Sequence, residues 1–110
     1  KKMVEIATRA ERIRGVPVNL MVWFLKDSFF LWAGLENMAH MNELHFALLA
    51  QNQPSTMSVL DEGPDSPGIS ISQHLVRRIG KPCFVSYNIP SDLDIGLEVE
   101  IRLKQMIEAG

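Results

Sequence analysis

A chain of 110 residues with 46% hydrophobic and 22% charged residues has the length and balance of one globular domain. It can bury roughly two-thirds of the surface it exposes when unfolded, which excludes collagen-like, disordered and disulfide-scaffold classes. Eleven Lys and Arg against thirteen Asp and Glu leave a net charge of -2, without the basic footprint that a phosphate backbone demands, so nucleic acid is not an expected partner.

In chain order, Lys1-Lys2 is not followed by an apolar core with a cleavage site, and no secretory signal is expected. Residues 3–10 alternate, with Val4, Ile6, Thr8 and Ala10 on one side and Glu5, Ala7 and Arg9 on the other, and predict a half-exposed strand. An amphipathic helix over Met3–Ile13 competes, because Ala, Glu and Arg favour helix. Gly15 and Pro17 end either element. Val16–Leu35 has the length of a membrane span. Lys26 and Asp27 would lie at its centre, at a cost of about 2.5 to 3.5 kcal/mol each, so no membrane association is expected. Two strands explain it better. Val18–Leu25 is apolar at nearly every position and predicts a strand buried on both faces; Lys26-Asp27-Ser28 is a polar break; and Phe29–Gly34 returns to make a tight antiparallel hairpin.

Glu36–Asn42 reads as a loop and Leu44–Leu49 as a strand; Gln51–Pro54 turns the chain, and Ser55–Leu60 returns as a fifth strand. Gly63–Gly68 holds four Gly or Pro in six positions and is expected to be a mobile, linker-like loop. Helical spacing then appears: Ile71, Leu75 and Ile79 with Val76 form one stripe, opposite Gln73, His74, Arg77 and Arg78. Ser70 and Gln73 have capping-box spacing, and Gly80 and Pro82 stop a helix of about 69–80. Cys83–Ile89 predicts a sixth strand, and a final helix over about 92–109 carries a core stripe of Ile95, Val99, Leu103, Met106 and Ile107. Glu98 with Arg102 and Glu100 with Lys104 have i to i+4 pairing distance on it. The expected class is α+β: a six-stranded, mainly antiparallel sheet flanked by two helices, in a single domain over 1–110.

Chemistry-bearing patterns are sparse. His40 and His45 are five apart, on opposite faces of a strand or about 140° apart on a helix, so they do not point at one ion. The single cysteine, Cys83, has no thiol partner and no zinc spacing. It fits a reducing compartment, cytoplasm or nucleus, and its place between Pro82 and Phe84 on a strand suits a small buried hydrophobe better than a nucleophile. Asp61-Glu62, Asp65 and Asp92–Asp94 are carboxylate pairs beside loops or helix starts, where capping accounts for them. No catalytic residue, metal site or cofactor is expected.

Protein contact has more support. Arg77 and Arg78, near Lys81, form a basic patch that either complements a helix dipole or meets an acidic partner surface. Trp23 and Trp32 fall on adjacent predicted strands, as core residues or as anchors at an exposed interface. Leu97 and Ile101 are four apart on the final helix, well around from its core stripe, which gives that helix apolar positions on two sides. A helix packed on its own sheet needs one. An uncovered apolar face also predicts a homodimer when a natural partner is absent.

The stretch Lys26-Asp27-Ser28-Phe29-Phe30-Leu31-Trp32-Ala33-Gly34, the strand Cys83-Phe84-Val85-Ser86-Tyr87-Asn88-Ile89, Leu75-Val76-Arg77-Arg78, and Leu97 to Lys104 resemble, in order and spacing, the proteasome assembly chaperone 4 family. The resemblance departs at Gly63–Gly68, at Met38–Asn42 and in the N-terminal strand. It implies a six-stranded sheet with flanking helices and a non-enzymatic chaperone role in assembling the alpha ring of the proteasome core particle. The implied partners are an assembly chaperone 3 homologue, as heterodimer, and proteasome alpha subunits. A generic dimerising adaptor and a small thiol-dependent enzyme are the alternatives.

Overall fold

A computed structural model describes residues 5–38, 40–60 and 67–110. The start of the predicted first strand, the pair Asp61-Glu62 and most of the Gly63–Gly68 stretch lie outside the described residues.

Six strands form one sheet: β1 (Glu5–Ile13), β2 (Val16–Phe24), β3 (Phe29–Leu35), β4 (Leu44–Ala50), β5 (Gln53–Leu60) and β6 (Cys83–Tyr87), in the order β1-β2-β3-β6-β4-β5. Two-residue turns with positive φ close two hairpins, Arg14-Gly15 between β1 and β2 and Gln51-Asn52 between β4 and β5. Their left-handed backbone matches the twist of the strands they join. Pro17 therefore lies inside β2 rather than ending an element, and Pro54 sits on the edge strand β5, where a missing N–H is tolerated. The β2–β3 hairpin forms as expected, with Leu25 N–H donating to the Ser28 carbonyl across its turn.

The sheet is mixed, because β6 runs parallel to β3 and antiparallel to β4. Helix α1 (Pro67–Ile79) carries the chain from β5 back across the sheet, so β6 must enter in the direction of β5 and slot between β3 and β4. Pro67 occupies the first turn of α1, where its fixed φ is favourable. Ser70 is consequently inside the helix and not at its cap, a correction to the predicted start. Gly80, at φ 80°, ends the helix by donating its N–H to the Val76 carbonyl.

The final helix, α2, spans Gly96–Ala109. The predicted first turn is instead a single 3-10 turn at Ser91–Leu93, followed by Asp94 in the left-handed region at φ 49°. Both helices lie on one face of the sheet. Ile71, Leu75 and Val76 from α1 and Ile95, Val99, Leu103, Met106 and Ile107 from α2 enclose one core with Val18, Leu20, Val22, Leu31 and Val85. The two expected i to i+4 pairs on α2 give way to three contacts beyond the helix and one different i to i+4 pair within it. Glu98 meets Arg14 (3.3 Å), Arg102 donates to Glu11 (2.6 Å), Glu100 meets His74 (2.9 Å), and Lys104 pairs with Glu108.

Candidate protein-interaction surface

With both helices on one face, strand alternation leaves the opposite face to the other half of each strand's side chains. The registers line these up: Ile6 opposes Trp23, Trp23 opposes Phe30, Phe30 lies beside Phe84, Phe84 opposes Phe46, and Phe46 opposes Met57. Every strand thus contributes one apolar side chain to a single row, about 24 Å long at the usual strand spacing. Trp23 and Phe30 meet edge to face at 6.0 Å between centroids, and Phe46 and Phe84 at 4.6 Å. The inner members are half-buried by one another, whereas Ile6 (51%) and Met57 (61%) at the ends are exposed.

A groove of about 970 Å³ runs along this face, lined by Met21, Trp23, Phe30, Trp32, Met41 and Phe84 among others. Trp23 Nε1 is buried beside it with no hydrogen-bond partner among the described residues. An unpaired indole N–H away from water costs about 1–3 kcal/mol. The face is therefore apolar, with a buried, unpaired indole N–H beneath it.

This corrects the sequence reading of β2 as buried on both faces. Val18, Leu20 and Val22 enter the core; Asn19, Met21 and Trp23 belong to the uncovered side. Trp23 and Trp32 do share that side on adjacent strands. Phe30, Phe46 and Phe84 were missed, although large apolar residues on both sides of β3 and β4, with two helices available for six strands, were a usable signal.

Along the sheet from the aromatic row, the β3–β4 connection lies across the open face. Trp32 Nε1 donates to the His40 carbonyl at 3.0 Å. Ser86 Oγ donates to the Glu43 carbonyl at 2.7 Å, and Asn88 Oδ1 accepts from Asn42 N–H at 2.7 Å. Gly34 lies under the Trp32 indole, where a Cβ would come within 2.5 Å of Cη2. The small residue after Leu-Trp is what lets the ring lie flat over the strand.

On the helix-facing side, Ser58 Oγ, the His45 ring and Glu43 Oε1 stand in line at 3.0 and 3.1 Å, an order of hydroxyl, imidazole and carboxylate that the sequence reading did not find. The ring is completely buried and spans β4 and β5 at the point where their register shifts. A catalytic base must reach the substrate proton it abstracts; this buried imidazole instead links two strands. Cys83 is buried, and burial pushes its thiol up to about 12 from the ordinary 9.0, opposite to what a nucleophile requires. Tyr87 is likewise pushed up to about 12, by burial first and then by Asp94, Glu43 and Glu98. Among the described residues no three His, Cys, Asp or Glu side chains converge on a metal position, and no helix is long and apolar enough to cross a membrane.

The remaining candidates are on the helices. Leu97 (66% exposed) and Ile101 (43%) project from α2 away from its buried stripe. Arg77 and Arg78 are exposed in the last turn of α1, while Lys81 Nζ sits 5.8 Å from the Phe29 ring. The structure brings Trp23 and Trp32 together on the sheet and leaves Leu97 with Ile101, and Arg77 with Arg78, as separate patches on the helical side.

Comparison with known proteins agrees with this layout. One solved structure, described as a novel chaperone complex for yeast 20S proteasome assembly, has a chain that superposes with a TM-score of 0.80 over 98% of both chains at 14% identity, which shows a shared fold. Proteasome assembly chaperone 4 of Homo sapiens is 35% identical over 84% of this chain and 76% of its own length. The Mus musculus protein of the same name is 33% identical over 83% and 75%. The family model for proteasome assembly chaperone 4 matches residues 17–89, from the start of β2 past the end of β6, and the chain belongs to that family.

Proposed function

We propose that this chain is a non-enzymatic chaperone that helps assemble the alpha ring of the proteasome core particle, working in the cytoplasm or nucleus as a heterodimer with an assembly chaperone 3 homologue. The observation that carries this reading is the uncovered aromatic row with its groove. A soluble monomer rarely exposes a contiguous apolar patch of this extent. The family and the neighbouring chaperone complex supply the kind of partner that would cover it. Leu97 and Ile101 lie on the helical side, so an occupied sheet face would leave them available to a second protein, for which a proteasome alpha subunit is our candidate.

The test is titration of the chain with an assembly chaperone 3 homologue, followed by pull-down of alpha subunits with the pair. Trp23→Ala and Phe84→Ala should each weaken the heterodimer by about thirtyfold or more, as buried aromatic anchors do. A wild-type chain that binds neither protein, or binds a second copy of itself more tightly, would favour the generic dimerising adaptor. Cys83→Ala should leave assembly activity intact if the thiol has no chemical part.

A further inference from the structure

The β3–β4 connection has a polar underside and an apolar outer side. Beneath it, Ser86 Oγ is fully buried on a face whose neighbouring strand positions are largely apolar; it donates to the Glu43 carbonyl and accepts from Asn88 Nδ2 at 2.9 Å. Asn88 is itself fixed to the sheet, since its main-chain N–H and Nδ2 both donate to the Ala33 carbonyl, at 2.8 and 3.3 Å. With Asn42 N–H on Asn88 Oδ1 and Trp32 Nε1 on the His40 carbonyl, anchors from β3, β6 and the residue just beyond β6 hold the connection down. Undocking it would strip the buried Ser86 hydroxyl and the part-buried Trp32 indole of their acceptors, which makes the docked position the resting one.

Its outer side presents Met38 and Met41, both exposed, and Met41 and His40 line the groove beside Trp32. Methionine packs adaptably against apolar surfaces, and a preset loop binds without the cost of ordering it afterwards. We infer that the β3–β4 connection is the selecting lip of the sheet-face groove, held ready for an apolar surface of the second chaperone subunit by Trp32, Ser86 and Asn88 as positioning residues. This rests on the sheet face being the heterodimer surface.

The experiment measures affinity for the assembly chaperone 3 homologue and amide exchange at Asn42 in Asn88→Ala, Asn88→Asp, Trp32→Phe, Met41→Ser and Trp23→Ala. Asn88→Ala should speed Asn42 exchange by at least about tenfold and weaken binding by about five- to thirtyfold. Asn88→Asp keeps the acceptor for Asn42 and should recover most of both; a role limited to general stability would not divide the two variants this way. Met41→Ser should weaken binding while Asn42 exchange stays at the wild-type rate, and Trp32→Phe should weaken it through loss of the indole N–H. Faster exchange at Asn42 with unchanged affinity overturns the lip. Should Asn88→Ala not fold, wild-type affinity in both Trp32→Phe and Met41→Ser overturns it equally. If Trp23→Ala also binds normally, the sheet-face reading itself falls; if Trp23→Ala weakens binding and the lip variants do not, the lip alone falls.

Discussion

Gly34→Ala tests in one atom how the open face is built. The new Cβ would lie 2.5 Å from Trp32 Cη2 and 2.7 Å from Cζ2, so the indole must move. Moving it breaks the 3.0 Å hydrogen bond to the His40 carbonyl, a net loss of about 0.5–1.5 kcal/mol. Forcing the ring off its rotamer costs about 0.5–1.5 kcal/mol more. Alanine regains about 0.5–1 kcal/mol of backbone entropy in a strand interior. The net expectation is a destabilisation of about 1 kcal/mol, or about 4 °C in Tm for a chain of this size. Urea unfolding followed by far-UV circular dichroism, with an unchanged m-value, reads it. The decisive control is the same substitution in a Trp32→Ala background, where nothing remains to clash and the alanine should be neutral or stabilising. An equal cost in both backgrounds would refute the reasoning, because the indole would then not be what Gly34 accommodates.

Stability should fall as pH rises from about 9 to 12. The folded state holds the Cys83 and Tyr87 protons to about 12 while the unfolded chain releases them near 9.0 and 10.0, so the unfolded state binds fewer protons across that window. Unfolding midpoints should be flat in this respect below pH 9, and Cys83→Ala should lessen the alkaline slope; an unchanged slope would contradict the burial argument. The same thiol should react with a chromogenic disulfide only on unfolding, at a rate that follows denaturant. Leu97→Ser and Ile101→Ser should each shift stability by less than about 0.5 kcal/mol, since both side chains are exposed, yet weaken binding of whichever partner covers α2 by about ten- to hundredfold. Loss of stability without loss of affinity would remove this helix from any interface. His45→Gln should destabilise by about 1–3 kcal/mol through the Glu43 and Ser58 contacts it disturbs, measurable by the same unfolding titration. The chain alone should self-associate in sedimentation; a clean monomer at high concentration, with no binding of a dye for exposed apolar surface, would count against an open aromatic face.

Local pattern in the sequence determined most of the elements and the inner side of the domain. Val18, Leu20 and Val22 repeat every second residue, Ile71, Leu75 and Val76 and the Ile95 to Ile107 stripe repeat with the helix, and all of these enter the core. Periodicity reports which residues share a face because it depends on backbone geometry alone. It does not report what lies opposite that face. Trp23, Phe30, Phe46 and Phe84 have the same spacing whether a helix of this chain or another protein covers them, so the open side became visible only once both helices were seen on one face. The parallel pairing of β3 with β6, set by the path of α1, was likewise beyond any local signal. So were the ion pairs of α2, where Glu11, Arg14 and His74 stand close enough to draw Arg102, Glu98 and Glu100 away from their neighbours on the helix. Charges on a helix surface choose among all partners within reach, and only the tertiary arrangement decides which partners those are.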